Sequence, residues 1–454
     1  MTLQKKSGRI ALFLAFMVWS LAGLSQHAAP VSQSKAGQPF QYLPDRRDVV
    51  LYQVNMRVFS KDGNFQGVID RLDSIRAMGT NVIYLMPHYP VGKIKSVNSP
   101  YCIQDYKAVN PEFGTLQDLK RLIDEAHVRK MAVILDWVAN HTSYDHVWIK
   151  NKSWYLQDST GAIISPPGTG WNDVAQLNFS NADMRREMIA AMKYWILETN
   201  ADGFRCDYSD GPPVDFWKQA LDTLKSMPGR NLLLLSEGRR SEHYKIGFDY
   251  NFAFEFFSNM VKIFEHGRSA RTIDTLNIKD YIGASDDQRI VRYTSNHDVN
   301  GSEGTPLELF GGEKGSMAAF VVASLMKSVP MIYGGQEVGT QHRLTFPFTS
   351  TKINWDANPE LKAEYKRIIS FRNNSAALRR GRLTSYTTDD VVAFEKTLKN
   401  EKVVVIVNMR GKVTAYNAPK SLQKTKWVNA INYSKVKLPD VLNLEPYSYL
   451  ILKK

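Results

Sequence analysis

The sequence predicts an α/β fold: a (β/α)8 TIM barrel with a short inserted subdomain after strand 3 and a C-terminal antiparallel β-sandwich domain. Three observations carry this expectation. Short, continuous apolar runs alternate with amphipathic helical stretches over about 330 residues, the pattern of parallel strands covered on both faces. After the third run, about 40 residues rich in Trp, Gly, Asn and Pro interrupt the rhythm, too many for an ordinary strand-to-helix loop. From residue 378 the helical patterns stop, and short β-rich runs take over.

The expected strands are VVLYQV (49–54), NVIYLM (81–86), MAVILD (131–136), ADGFRC (201–206), NLLLLS (231–236), RIVRYTS (289–295) and VPMIYG (329–334), with the weakest strand signature near 247–254. Between them the spacing predicts helices over 115–130, 182–198, 214–227, 313–327 and 361–374. In the first of these, Leu116, Leu119, Leu122, Ile123 and Ala126 share one face behind a Thr115 cap. No GxGxxG turn opens a helix, which favours a closed barrel over an open doubly wound sheet. The chain divides into a leader over 1–28, a barrel over 40–377, an inserted subdomain over 141–180 and a β-domain over 378–454.

The leader reads as a secretory signal peptide. Lys5, Lys6 and Arg9 precede an apolar run from Ile10 to Leu24, followed by small and polar residues. The run is short for a spanning helix and has no charged stop-transfer flank, so the expected location is secreted or periplasmic, with no stable membrane insertion after cleavage. A formal charge of +13 raises the question of an anionic partner. No Lys/Arg run interleaves with aromatics, and the positive charge reads as solvated faces rather than a nucleic-acid surface. The two cysteines, Cys102 and Cys206, allow one disulfide, although a buried thiol is the commoner fate of a strand cysteine.

In a β/α barrel the functional site forms at the C-terminal ends of the strands. Here DWVANH (136–141), GFRCD (203–207), SEG (236–238) and SNHD (295–298) close four of the apolar runs with Asp136, Asn140, His141, Arg205, Asp207, Glu237, His297 and Asp298. One such residue alone is most simply a cap, a core histidine or a structural ion pair. Their recurrence at four strand ends, which a barrel brings to one place, points to chemistry. Strand alternation sends Arg205 and Asp207 to the inside and Cys206 to the outside.

DWVANH, GFRCD, SEG and SNHD resemble, in order, the four signature regions of the alpha-amylase family, glycoside hydrolase family 13. SPYCIQDYKAVNPEFGT (99–115), LNFSNADMR (177–185) and VPMIYGGQEVG (329–339) are similar to supporting segments of that family. The resemblance implies a retaining enzyme that hydrolyses α-1,4-glucosidic bonds in starch-derived glucans or maltodextrins. It implies Asp207 as nucleophile, Glu237 as general acid/base and Asp298 as transition-state stabiliser. Arg205 would orient Asp207 and keep it ionised, since an opposite charge favours the carboxylate. His141 and His297 would bond sugar hydroxyls, and Tyr101 would stack on the sugar. Trp148, Trp154, Tyr155 and Trp171 are candidates to line the cleft beside Tyr101. A glucanotransferase, a trehalose-type isomerising enzyme and a non-catalytic glucan-binding relative are the alternatives.

Two departures from the family pattern matter. The Lys and His that follow the nucleophile in many starch-cutting members are replaced by Tyr208-Ser209-Asp210-Gly211, which leaves maltodextrin, cyclodextrin and pullulan open as substrates. Asn140 matches a calcium ligand of the family, but a frequent ligand Asp falls on Gln176, and a neutral amide is a weaker calcium ligand than a carboxylate. Bound calcium and a loop-fixing hydrogen bond remain two readings of Asn140.

Overall fold

The computed structural model describes residues 1–2 and 37–454; the segment on which the leader expectation rests lies largely outside the described residues. Eight parallel strands close the barrel: β1 (Leu51–Val54), β2 (Val82–Leu85), β3 (Ala132–Val138), β4 (Gly203–Asp207), β5 (Leu233–Ser236), β6 (Tyr250–Phe252), β7 (Arg289–Tyr293) and β8 (Val329–Tyr333). Each pairs with its sequence neighbours, and β8 closes onto β1 through Leu51↔Met331 and Tyr52↔Ile332. Every residue of these strands is buried, which is why they read as continuous apolar runs. The weakly signalled sixth strand is present but only three residues long.

The helices form where the spacing places them. The one over Leu116–Val128 begins with a capping box in which Thr115 accepts from the Asp118 N–H and the Asp118 side chain accepts from the Thr115 N–H. Its buried face is Leu119, Leu122, Ile123 and Ala126. Helices over Ala182–Thr199, Val214–Lys225, Gly312–Leu325 and Pro359–Asn374 complete the expected set.

The insertion is organised by a small antiparallel pair, His141–Ser143 with Val174–Gln176, so that its two ends leave the barrel side by side. The tail forms a six-stranded antiparallel sheet in the order Arg382–Ser385, Val391–Leu398, Glu401–Asn408, Tyr449–Lys453, Lys426–Asn429, Lys435–Lys437. A two-stranded sheet, Thr414–Asn417 with Val441–Leu444, covers it. Alternation divides the residues of the central strands: Val392, Phe394, Val403 and Val405 join the barrel core, while Val391, Ala393, Val404 and Ile406 pack with Tyr416, Leu442 and Leu444. Cys102 and Cys206 are both buried free thiols.

The register sets the site. Asp136 of β3 lies directly beside Arg205 of β4, and Asp207 beside Val138 one layer nearer the mouth. Tight approach of β4 to β5 is built in at Gly203, whose φ is +146° and where a Cβ would fall 1.9 Å from the Leu233 carbonyl oxygen. Gly203→Ala should therefore destabilise the protein by roughly 2–5 kcal/mol, through backbone strain and overpacking together. A urea midpoint equal to wild type would contradict the close approach of the two strands.

Candidate active site

One guanidinium organises the barrel mouth. Arg205 is fully buried, and its Nη1 donates to Asp136 Oδ1 at 2.7 Å and to Asp207 Oδ1 at 2.9 Å. Its Nη2 lies against Glu237 Oε1. Three carboxylates from β3, β4 and the turn after β5 thus meet on a single cation. Asp136 also accepts at Oδ2 from the hydroxyls of Tyr84 (2.7 Å) and Tyr101 (3.0 Å). The second oxygen of Glu237 accepts from the Tyr208 N–H at 2.8 Å.

The far wall is a chain of polar groups. Gln53 Nε2 lies 2.7 Å from His297 Nδ1, and His297 Nε2 lies 2.7 Å from the Tyr101 hydroxyl, with the two rings stacked 5.3 Å apart. Because Tyr101 donates to Asp136, its oxygen is free to accept from His297 Nε2–H, which leaves Nδ1 to accept from Gln53. Burial lowers the pKa of His297, and that of His141 to about 4, so both rings are neutral at neutral pH. Asp298 opens the helix over His297–Ser302 behind its Asn296 cap. Its side chain is 57% exposed and lies 3.2 Å from His297 Nε2.

Proton affinities depart from the pairwise expectation. Burial raises the pKa of Asp207 and outweighs the neighbouring Arg205, whose charge alone would lower it. Glu237 is pushed up to about 7, by burial first and then by Asp298, against the opposing pull of Arg205. Asp136, Asp207 and Glu237 share one guanidinium and Asp298 adds its charge nearby, so the ionised cluster carries excess negative charge, and taking up a proton relieves it.

The structure brings together all the expected residues around Arg205: Asp207, Glu237, Tyr101, His297 and Asp298 at the mouth, with Asn140 and His141 on the adjoining edge of the insertion. Tyr84 and Gln53 escaped the sequence reading. Their only signal is a polar group inside the apolar runs of β1 and β2. Three of the four aromatic candidates belong to the core of the insertion instead of the cleft: Tyr155 and Trp148 are buried, and Trp154 packs edge-on against Trp148. Trp171 alone of the four is exposed beside the site, 5.5 Å from the His141 ring.

At the junction of barrel and insertion, Asn140 and Gln176 interlock. Asn140 Nδ2 donates to Gln176 Oε1 at 3.1 Å, while Gln176 Nε2 donates to the Asn140 carbonyl at 3.0 Å and to Asn140 Oδ1 at 3.3 Å. The side-chain oxygens of both amides, and the Asn140 carbonyl, thus already accept N–H groups. This arrangement does not fit calcium, whose sites are built from converging oxygens.

A closed parallel barrel with acidic and aromatic side chains converging at the C-terminal ends of its strands is the architecture of an alpha-amylase-type glycoside hydrolase, and the comparisons with known proteins agree. A sequence profile described as "Alpha amylase, catalytic domain" matches residues 41–161. Alpha-amylase 3 of Dictyoglomus thermophilum is 24% identical over 90% of this chain and 94% of its own length. A cyclomaltodextrinase of Thermoanaerobacter pseudethanolicus is 25% identical over 77% of this chain, which spans 64% of that protein. The crystal structure of an alpha-amylase from Lactobacillus plantarum superposes with a TM-score of 0.79 at 25% identity, covering 90% of this chain and 99% of that one. These matches support kinship with the alpha-amylase family, glycoside hydrolase family 13, and an enzyme that hydrolyses O-glycosyl bonds.

The interlocked amides predict that EDTA leaves the Tm within about 1 °C of its untreated value, since a metal that stabilises the folded state lowers Tm on removal. Gln176→Asp should make the Tm calcium-responsive, rising by roughly 2–4 °C in millimolar CaCl2. A calcium-dependent Tm in the unaltered chain would refute the interlock.

Proposed function

We propose that this chain is a retaining α-glycosidase that hydrolyses α-1,4-linked glucans of maltodextrin type. The observation that carries the reading is the convergence of Asp136, Asp207 and Glu237 on Arg205 beside the Tyr101–His297 pair. Cleavage of a glycosidic bond passes through an oxocarbenium-like state, and needs one carboxylate at the anomeric carbon and one carboxylic acid at the leaving oxygen.

In this reading Glu237 holds the proton. With its pKa at about 7 it is the acid below that value, and it donates to the departing oxygen. Asp207 acts in its ionised form, which the Arg205 guanidinium supports against burial, and neutralising Glu237 removes one of the charges that oppose it. Asp207 then attacks the anomeric carbon to form a glycosyl-enzyme, and the leaving oxygen takes the Glu237 proton. In the second half Glu237 recovers a proton from water as that water displaces Asp207. Asp298 supports the positive charge at the anomeric carbon, while the neutral imidazoles of His141 and His297 and the Tyr101 ring position the sugar. Arg205 orients Asp207 without touching the reacting atoms.

The same proposal places the protein outside the cytoplasm, secreted or periplasmic. It rests on the basic-then-apolar order of Lys5, Lys6, Arg9 and the Ile10–Leu24 run. The Asn140–Gln176 interlock favours an enzyme that works without calcium at that junction.

Asp207→Asn and Glu237→Gln should each lower kcat on maltoheptaose by a factor on the order of 10³ or more with the Tm retained. In the wild type, kcat/KM should fall as pH rises through about 7, because Glu237 loses its proton there. Chromatography of maltoheptaose digests should give only shorter oligosaccharides. Products longer than the substrate would favour a glucanotransferase, and wild-type rates in either variant would remove the assignment.

A further inference from the structure

The ring of Tyr208 occupies a place that strand alternation would not give it. Arg205 and Asp207 face inward and Cys206 outward, so an extended residue 208 would point out to the helices. Tyr208 instead has φ +40°, a left-handed conformation that non-glycine residues rarely adopt. The turn keeps its N–H on Glu237 Oε2 and leaves the side chain half-buried at the mouth. Gly211 makes room for it: a Cβ there would lie 2.6 Å from the Tyr208 ring and 2.5 Å from Asn140 Oδ1.

Trp171 completes the feature from the insertion. Its indole meets the Tyr208 ring edge-on at 4.9 Å and the His141 ring at 5.5 Å, yet it stays 37% exposed. It follows Gly168 and Gly170, both at positive φ, in a tight turn where the Thr169 hydroxyl accepts from the Trp171 N–H at 3.2 Å. Two rings from separate elements thus meet edge-on in one partly open aromatic cluster, carried by the residue whose N–H binds the outer oxygen of Glu237. A general acid delivers its proton to the leaving oxygen, so what flanks its outer oxygen faces the leaving group.

We propose that Tyr208 and Trp171 form the platform for the first leaving-group sugar, and that they set specificity by stacking on the apolar face of a glucosyl unit. This rests on the α-glucan reading given above. The Asp210 carboxylate on the same turn is held by the loop after Glu237, accepting from the Arg239 N–H at 3.1 Å. The favoured substrate is an α-linked gluco-oligosaccharide with at least one sugar beyond the bond cleaved.

The test compares maltotetraose, whose leaving portion is sugar, with α-maltosyl fluoride, whose leaving group is too small to reach the platform. Trp171 also touches His141, so the informative quantity is the ratio of kcat/KM on the two substrates, in which effects on the other side of the bond cancel. Trp171→Ala and Tyr208→Ala should each lower that ratio roughly tenfold, the size of losing one stacked apolar face, while Trp171→Phe and Tyr208→Phe should keep most of it. A ratio within about twofold of wild type in both alanine variants would overturn the platform while leaving the hydrolase reading intact. A wild type that cleaves neither substrate would remove the α-glucan reading and the platform with it.

Discussion

The site depends on one buried cation. Arg205 has no exposed surface, and among the described residues its charge is answered by Asp136, Asp207 and Glu237. Burying a charge is expensive unless it is paired and hydrogen-bonded, so the guanidinium holds its three partners as firmly as they hold it. A planar fork with several donors can serve carboxylates arriving from different strands, which a lysine ammonium on a flexible stem does less well. Removing Arg205 would leave three buried carboxylates facing one another without a cation, so the cluster depends on it as a unit.

The barrel makes this arrangement without local contrivance. Parallel register puts Asp136 beside Arg205, alternation puts Asp207 one layer above it, and the turn after β5 carries Glu237 back over β4 through the Glu237 N–H to Cys206 carbonyl bond. The insertion is fastened at the same edge by the Asn140–Gln176 amides, so the groups it contributes, His141 and Trp171, share a frame with the carboxylates. The excess of acid over base in the cluster then has a chemical consequence: one proton is retained near neutrality, the condition a glycosidase needs of its acid.

Much of this was legible in the sequence, because barrel strands buried on both faces read as apolar runs and their polar ends stand out. The Thr115 cap and the parity of Arg205, Cys206 and Asp207 were equally readable. What was not readable depends on depth and on backbone shape. Trp148, Trp154 and Tyr155 look like sugar platforms in a string of letters, and only packing shows that they are the core of the insertion. The effect of Arg205 on Asp207 was anticipated as a pair, but burial is a property of the whole surroundings and reverses the net direction. Gln53 and Tyr84 were hidden inside strands, and the left-handed turn at Tyr208 has no signature in a residue that rarely adopts it.

The central claim is that Arg205 presents Asp207, and not another of the clustered carboxylates, to the anomeric carbon. The most direct measurement is peptide mass spectrometry after inactivation with a 5-fluoro-α-glucosyl fluoride, which leaves a slowly hydrolysed sugar on the attacking residue. The account predicts a single glycosyl group on Asp207. A sugar on Glu237, Asp136 or Asp298, or turnover with inversion at the anomeric carbon, would contradict it.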